Sequence, residues 1–238
     1  MKKTICIILI LGFVGLISYS GYRIWLIQDD YNQETKIHDM VMEYKPDGIP
    51  GPEQQEDEIA NQSIIDLQGK YPDVIGWLTV PNTKIDYPFV QFTDNDYYLR
   101  RDIGGGYALA GTVFMDYRCN KDFTSPNTII YGHHMKNESM FGTLKSFNGK
   151  TFFDENEYGY IYLPRENLTL EFFAYMVVNP NDQEIYSTGL SDTYLDYVKQ
   201  NARNYRDVGL TEADRIVTLS TCAYEFNNAR MVLLARVV

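Results

Sequence analysis

The chain has 238 residues, 45% of them hydrophobic and 14% aromatic, with 32 acidic against 21 basic side chains and a net charge of −11. That balance argues against nucleic acid as a partner, since phosphate contacts need an excess of Lys and Arg. Three cysteines (Cys6, Cys119 and Cys222) are too few for a disulfide scaffold. No Cys-x-x-Cys pair or His-rich spacing suggests a metal site, and no cofactor is expected.

In chain order, Lys2 and Lys3 precede Ile5 to Ile27, a stretch whose one charge is Arg23. As a helix it would be roughly 35 Å long, enough for a hydrocarbon core of about 30 Å. Arg23 can snorkel to the headgroups, and Tyr19, Tyr22 and Trp25 suit the interface. Lysines before the span and acids after it favour a cytoplasmic N-terminus and an extracellular remainder. Residues 1–27 are therefore expected to be a single-pass membrane anchor. The alternative is a cleaved signal peptide, since Ser18-Tyr19-Ser20 resembles a small-x-small site, but Ile24 to Ile27 continue the apolar run beyond it.

Residues 28 to 62 carry ten acids against Lys36 and Lys45. The stretch from Lys45 to Pro52 holds three prolines and two glycines and suits neither a helix nor an inner strand. Residues 28–55 read as an acidic extracellular stalk, and 56–238 as the folded domain, long enough for one substantial core.

Within that domain, short β-branched and aromatic runs alternate with turn residues, the pattern of a mainly β protein. Strands are expected over Gly76–Val80, Lys84–Tyr87, Gly111–Met115, Asn127–Tyr131, Tyr158–Leu163, Leu168–Val178, Arg215–Thr221 and Arg230–Val237. Helices are expected over Glu56–Lys70, with Ile59, Ile64, Ile65 and Leu67 on one face, and over Ser139–Phe147 and Asp192–Asn204. Ser191 is the N-cap candidate of the last. Eight short strands with helices in the connections suggest a closed or nearly closed barrel.

Cys222 ends the apolar run Ile216-Val217-Thr218-Leu219 and opens into the polar Tyr224-Glu225-Phe226-Asn227-Asn228. A thiol needs a base to become a nucleophile, and attack on a carbonyl needs positive charge for the oxyanion. Tyr131-Gly132-His133-His134 offers the base, and Arg230 a permanent cation. Adjacent residues at a strand end face opposite ways, so one of the two histidines can meet Cys222. Arg236 competes with Arg230 but lies roughly 20 Å farther along its strand. A Cys119–Cys222 bridge would silence the thiol. Alternation puts Ser220 on the face of Cys222 and Thr221 on the other. Together these residues suggest a thiol acyl-transfer enzyme.

Thr218-Leu219-Ser220-Thr221-Cys222 resembles the TLxTC signature of the sortases, the Gram-positive transpeptidases that attach proteins to the cell wall. Tyr131-Gly132-His133 is similar to their histidine motif, and Arg230 falls where their arginine follows on the last strand. The likeness runs over most of residues 56–238 and includes the N-terminal anchor. Asn95-Asp96-Tyr97-Tyr98-Leu99, a long N-terminal helical approach and a helix before the cysteine strand resemble class B. The resemblance implies a sortase-like eight-stranded β-barrel with N-terminal helices and a helix in the connection before the cysteine strand.

By the same resemblance, Cys222 is the nucleophile, His133 rather than His134 the acid–base group, and Arg230 the oxyanion holder. Ser220, Asn95, Leu99, Ile185 and Tyr186 would contact substrate. The implied reaction cleaves a C-terminal sorting signal of the NPxT-x kind after Thr through a thioester, then passes the acyl group to a peptidoglycan amine. The implied partners are secreted proteins bearing sorting signals and a wall precursor or cross-bridge amine. A pilin-polymerising sortase and an extracellular cysteine peptidase are the enzyme alternatives, and a membrane-tethered binding module the non-enzyme one.

Overall fold

No proline interrupts the first 45 residues, and in the computed structural model they wind into α1 (Lys2–Met42). Residues 2–48, 61–211, 213–222 and 229–238 are described, with the side chains of residues 2, 30, 34 and 222 outside the description. Ile5, Leu9, Phe13, Leu16 and Ile24 stand exposed along α1, which is long and apolar enough to cross a membrane. The helix does not stop where the apolar run does. Side-chain hydrogen bonds from Gln28 to Asn32 and from Gln33 to Asp29, one turn apart, support its polar half. The acidic stalk expected from residue 28 is thus helical as far as Met42, while its last part, 49–55, lies outside the described residues.

The chain divides into two compact units after Met40. The second begins at Val41. Val41 is buried, Lys45 pairs with Asp86, and the Tyr162 hydroxyl donates to the Gly48 carbonyl at 2.7 Å. These contacts make residues 41–48 part of the folded body.

Among the described residues nine strands form that body: β1 (Val74–Thr79), β2 (Asp86–Val90), β3 (Val113–Met115), β4 (Asn127–Tyr131), β5 (Tyr158–Tyr162), β6 (Asn167–Val178), β7 (Asn204–Tyr205), β8 (Ile216–Cys222) and β9 (Arg230–Val237). They lie in the order β5-β1-β2-β3-β4-β8-β9-β6-β7, and a further pairing of β5 with β6 closes eight of them into a barrel. The two-residue β7 pairs with β6 at Ala174 and Tyr175, too short to leave a signal in the sequence. β4 and β9 match their expected bounds, whereas β2 starts later than expected. The Thr83 hydroxyl donates to the Val80 carbonyl and accepts from the Ile85 amide, which ties Val80 to Ile85 into a turn.

Two adjacent pairs are parallel, β2 with β3 and β4 with β8, and the others are antiparallel. A parallel pair cannot be closed by a tight turn, so a long connection must separate β4 from β8 in sequence. β8 is buried from Ile216 to Thr221, which explains a run without a charged residue.

Helix α2 (Gln62–Lys70) occupies the described part of the expected helix Glu56–Lys70. It buries Ile64 and Leu67, while Ile65 is exposed; Ile59 lies outside the described residues. The expected helix Ser139–Phe147 is a 3-10 segment over Gly142–Asn148, followed by α3 (Lys150–Glu155). Helix α4 (Tyr194–Asn201) falls inside the expected span, with Thr193 rather than Ser191 as its N-cap. Tyr194 and Val198 pack with Met176, Ile216, Val232 and Leu234, so α4 covers a face of β6, β8 and β9.

Gly132, just past β4, has no room for a side chain: a Cβ there would sit 2.6 to 2.9 Å from the ring of the buried Phe141. Gly132→Ala should therefore destabilise the domain by about 1–3 kcal/mol through overpacking, read as a lower urea midpoint at unchanged slope. An unchanged midpoint would mean that Phe141 can move aside freely.

Candidate active site

The ends of β4, β8 and β9 meet. β4 and β8 run parallel, with Tyr131 opposite Ser220, and the Gly132 amide continues the ladder by donating to the Ser220 carbonyl at 3.1 Å. β9 returns antiparallel to β8, with Cys222 opposite Arg230. Sequence positions 133, 222 and 230 are thereby brought to one end of three neighbouring strands. The backbone of Cys222 ends β8; its side chain and the following 223–228 lie outside the described residues.

At this end a cleft of about 340 Å3 opens, lined by His133, Arg230, Ser220, Asn95, Leu99 and Tyr186 among others. His133 Nε2 lies 2.7 Å from the Leu99 carbonyl. Burial pushes the imidazole below its ordinary pKa; the Leu99 carbonyl opposes that shift, and the charges of Arg100 and Arg230 add to it. His134 instead sits in a backbone bridge with Met140 and is not part of the lining. Arg230 hydrogen-bonds the Ala229 carbonyl at 3.3 Å. The competing Arg236 is engaged by Glu171, with Nε 3.0 Å from the carboxylate.

One wall is built on a buried carboxylate that sequence reasoning missed. Asp116 is fully buried and accepts from Arg118 Nε at 2.9 Å and Nη2 at 2.7 Å, from Asn95 Nδ2 at 3.0 Å and from the Tyr131 hydroxyl at 3.0 Å. Burial alone would raise its pKa, but the Arg118 hydrogen bonds and charge, with Asn95, outweigh it and hold the carboxyl below the usual range. Asn95 is fixed at its other end too, its Oδ1 accepting from the Tyr117 amide at 3.0 Å. Arg118 also donates to the Tyr186 carbonyl at 3.0 Å, and the Tyr186 and Ser220 hydroxyls are 2.9 Å apart. Tyr131 stacks on Tyr186 with ring centroids 6.3 Å apart. The available sequence signal was Asp116-x-Arg118 directly after a strand, a spacing that also suits an exposed turn.

Of the expected substrate contacts, Asn95, Leu99, Tyr186 and Ser220 line the cleft. Asn95 and Leu99 reach it together because Asp94 caps the amides of Asp96 and Tyr97, both at 2.8 Å, and starts a 3-10 turn over Tyr97–Arg100. Ile185 does not line it. Its side chain is fully buried against α4, and its carbonyl accepts from Asn127 Nδ2 at 3.1 Å. An apolar side chain beside the α4 cluster gains more from that burial than from a half-wet groove.

Cys119 is a free, buried thiol, with Sγ 3.5 Å from both the Asn127 carbonyl and the Ile129 amide, so no Cys119–Cys222 bridge forms. Burial pushes its pKa up to about 11, which leaves it unreactive at neutral pH. Among the described residues, no group of three or more His, Cys, Asp or Glu side chains is arranged to hold a metal ion.

The sortase-domain family model matches residues 78–238. Sortase B of Listeria monocytogenes is 33% identical over 237 residues, covering 97% of this chain and 95% of that protein. The crystal structure of Clostridium perfringens sortase B superposes with a TM-score of 0.69 at 34% identity, covering 73% of this chain and 98% of that one. A Streptococcus pyogenes class B sortase described as involved in pilus biogenesis gives 0.69 at 32% identity, covering 73% and 97%. The chain therefore belongs to the sortase family, and within it to the class B cysteine transpeptidases.

Proposed function

We propose that Cys222, His133 and Arg230 form the reaction centre of a membrane-anchored transpeptidase that joins sorting-signal proteins to a peptidoglycan amine. The register that sets Cys222 opposite Arg230, beside the His133 end of β4, is the observation that carries this reading. His133 takes the thiol proton, and the thiolate attacks the Thr carbonyl carbon of an NPxT-x or related signal. Arg230 stabilises the oxyanion as the tetrahedral intermediate forms. The C–N bond then breaks, His133 gives its proton to the leaving amine, and a thioester remains. The incoming amine attacks the thioester, its proton passes to His133 and on to the departing thiolate, and an amide replaces the thioester. Energy conserved in the thioester makes ATP unnecessary.

Asn95, Leu99, Tyr186 and Ser220 are the proposed contacts to the sorting peptide. The polar groups of Asn95, Tyr186 and Ser220 are already oriented in the network of Asp116 and Arg118, which lowers the entropy lost on binding. The exposed apolar half of α1 is the proposed anchor, with the N-terminus cytoplasmic and the folded unit extracellular. Polymerisation of pilins is the second reading, favoured by the pilus-associated Streptococcus pyogenes relative. It would use a lysine side chain as acceptor, so offering a lysine-containing peptide in competition with wall-type amines separates the two.

Cys222→Ala should abolish both cleavage and transpeptidation of a sorting peptide while leaving circular dichroism and Tm near those of the parent; retained turnover would end the assignment. Arg230→Lys should lower kcat by on the order of 100- to 1,000-fold, because a point charge does not reproduce the guanidinium fork. Near-parental rates would remove Arg230 from the oxyanion role.

His133 also makes a pH prediction. Its pKa is depressed in the folded state, so folding favours the neutral ring. The stability this contributes is present above the unfolded value near 6.5 and is lost as pH falls through the folded value. The acid limb of kcat/KM should accordingly fall below pH 6.5, and a limb above 7 would contradict a buried, neutral His133.

A further inference from the structure

The short helical turn Tyr97–Arg100 ends beside His133, and the carbonyls at such an end lack partners within the helix. Here they are taken up in sequence: Tyr98 O accepts from the Thr112 amide at 3.1 Å and Arg100 O from the Ala108 amide at 3.1 Å. Between them, Leu99 O meets His133 Nε2 at 2.7 Å. A carbonyl can only accept, so the proton in this contact belongs to Nε2. The Leu99 carbonyl is itself confined on another side by Gly111. That residue has φ +60, and a Cβ on it would lie 2.5 Å from Tyr98 O and 2.7 Å from Leu99 O.

We propose that the backbone carbonyl of Leu99 is the positioning group of His133, fixing the proton on Nε2 and reserving Nδ1 for proton exchange with thiol, leaving amine and incoming amine. The inference rests on His133 being the proton carrier. The ring nitrogen that exchanges protons is set by the hydrogen bond the other one makes, and here a peptide carbonyl makes it. A neutral acceptor orients the ring without adding a negative charge that would favour imidazolium. A substrate chain lying against the Leu99 side chain therefore bears on the peptide that aligns the base, so recognition and proton transfer share one structural element. Gly111 is the backing of that element.

The test is 15N NMR of the full chain in detergent, labelled at its three histidines, His38, His133 and His134. His133→Gln serves only to assign the His133 signals. At pH 8 the His133 ring should be predominantly the Nε2–H tautomer, and a predominant Nδ1–H tautomer or an even mixture would overturn the proposal. The tautomer is read in the resting protein, so failure here is distinct from failure of the transpeptidation assay. Gly111→Ala should push the Leu99 carbonyl away, lower kcat by on the order of 10- to 100-fold and weaken the Nε2–H preference. A Gly111→Ala protein with lowered kcat and an unchanged tautomer would make the Leu99 segment merely structural and overturn the proposal. If Gly111→Ala does not fold, the spectrum of the parent protein decides alone.

Discussion

Parallel pairing of β4 with β8 is the constraint on which the site depends. It aligns the C-terminal ends of two strands far apart in sequence, so the residues after Tyr131 and the end of β8 emerge side by side. Antiparallel return of β9 then delivers Arg230 to the same edge. Parallel strands also require a long crossover, and the chain between β4 and β8 includes β5, β6, α4 and the Tyr186 loop. The connection that the topology demands thus supplies one wall of the cleft.

A buried charge organises the residues around it. An unpaired carboxylate in the position of Asp116 would be costly, and its pairing with Arg118 costs desolvation as well. The return is in positioning: one carboxylate fixes Asn95, Tyr131 and Arg118, and Arg118 extends the order to the Tyr186 backbone. Ser220 is then tied to the Tyr186 hydroxyl. Residues from the Asp94 turn, β4, β8 and the crossover are held in one network before any ligand arrives. His133 stands apart from that network, against a peptide carbonyl and with its pKa held down by burial, which suits the proton exchange proposed for it.

Much of this was legible because strands write their pattern locally. The apolar and β-branched runs located β4 and β9 at their bounds. Asn95 and Leu99, singled out by resemblance, share the cleft. What escaped depends on tertiary burial. Asp116-x-Arg118 has the look of a surface turn until β3 and β4 enclose the carboxylate. Ile185 is as apolar as a groove residue should be, but the α4 cluster claims it. Continuation of α1 into the acidic segment was hidden because charge density resembles a solvated stalk, although that half contains no helix breaker before Met42.

A thiol acyl-transfer site at the meeting point of β4, β8 and β9 is tested most directly by trapping the intermediate. The full chain would be mixed with a sorting peptide, quenched in acid and digested for mass spectrometry. The acyl fragment ending in Thr should appear on the peptide containing Cys222, as a thioester that an added amine discharges into an amide product. Acylation at Cys119, or turnover with no adduct on residue 222 at any time point, would contradict it.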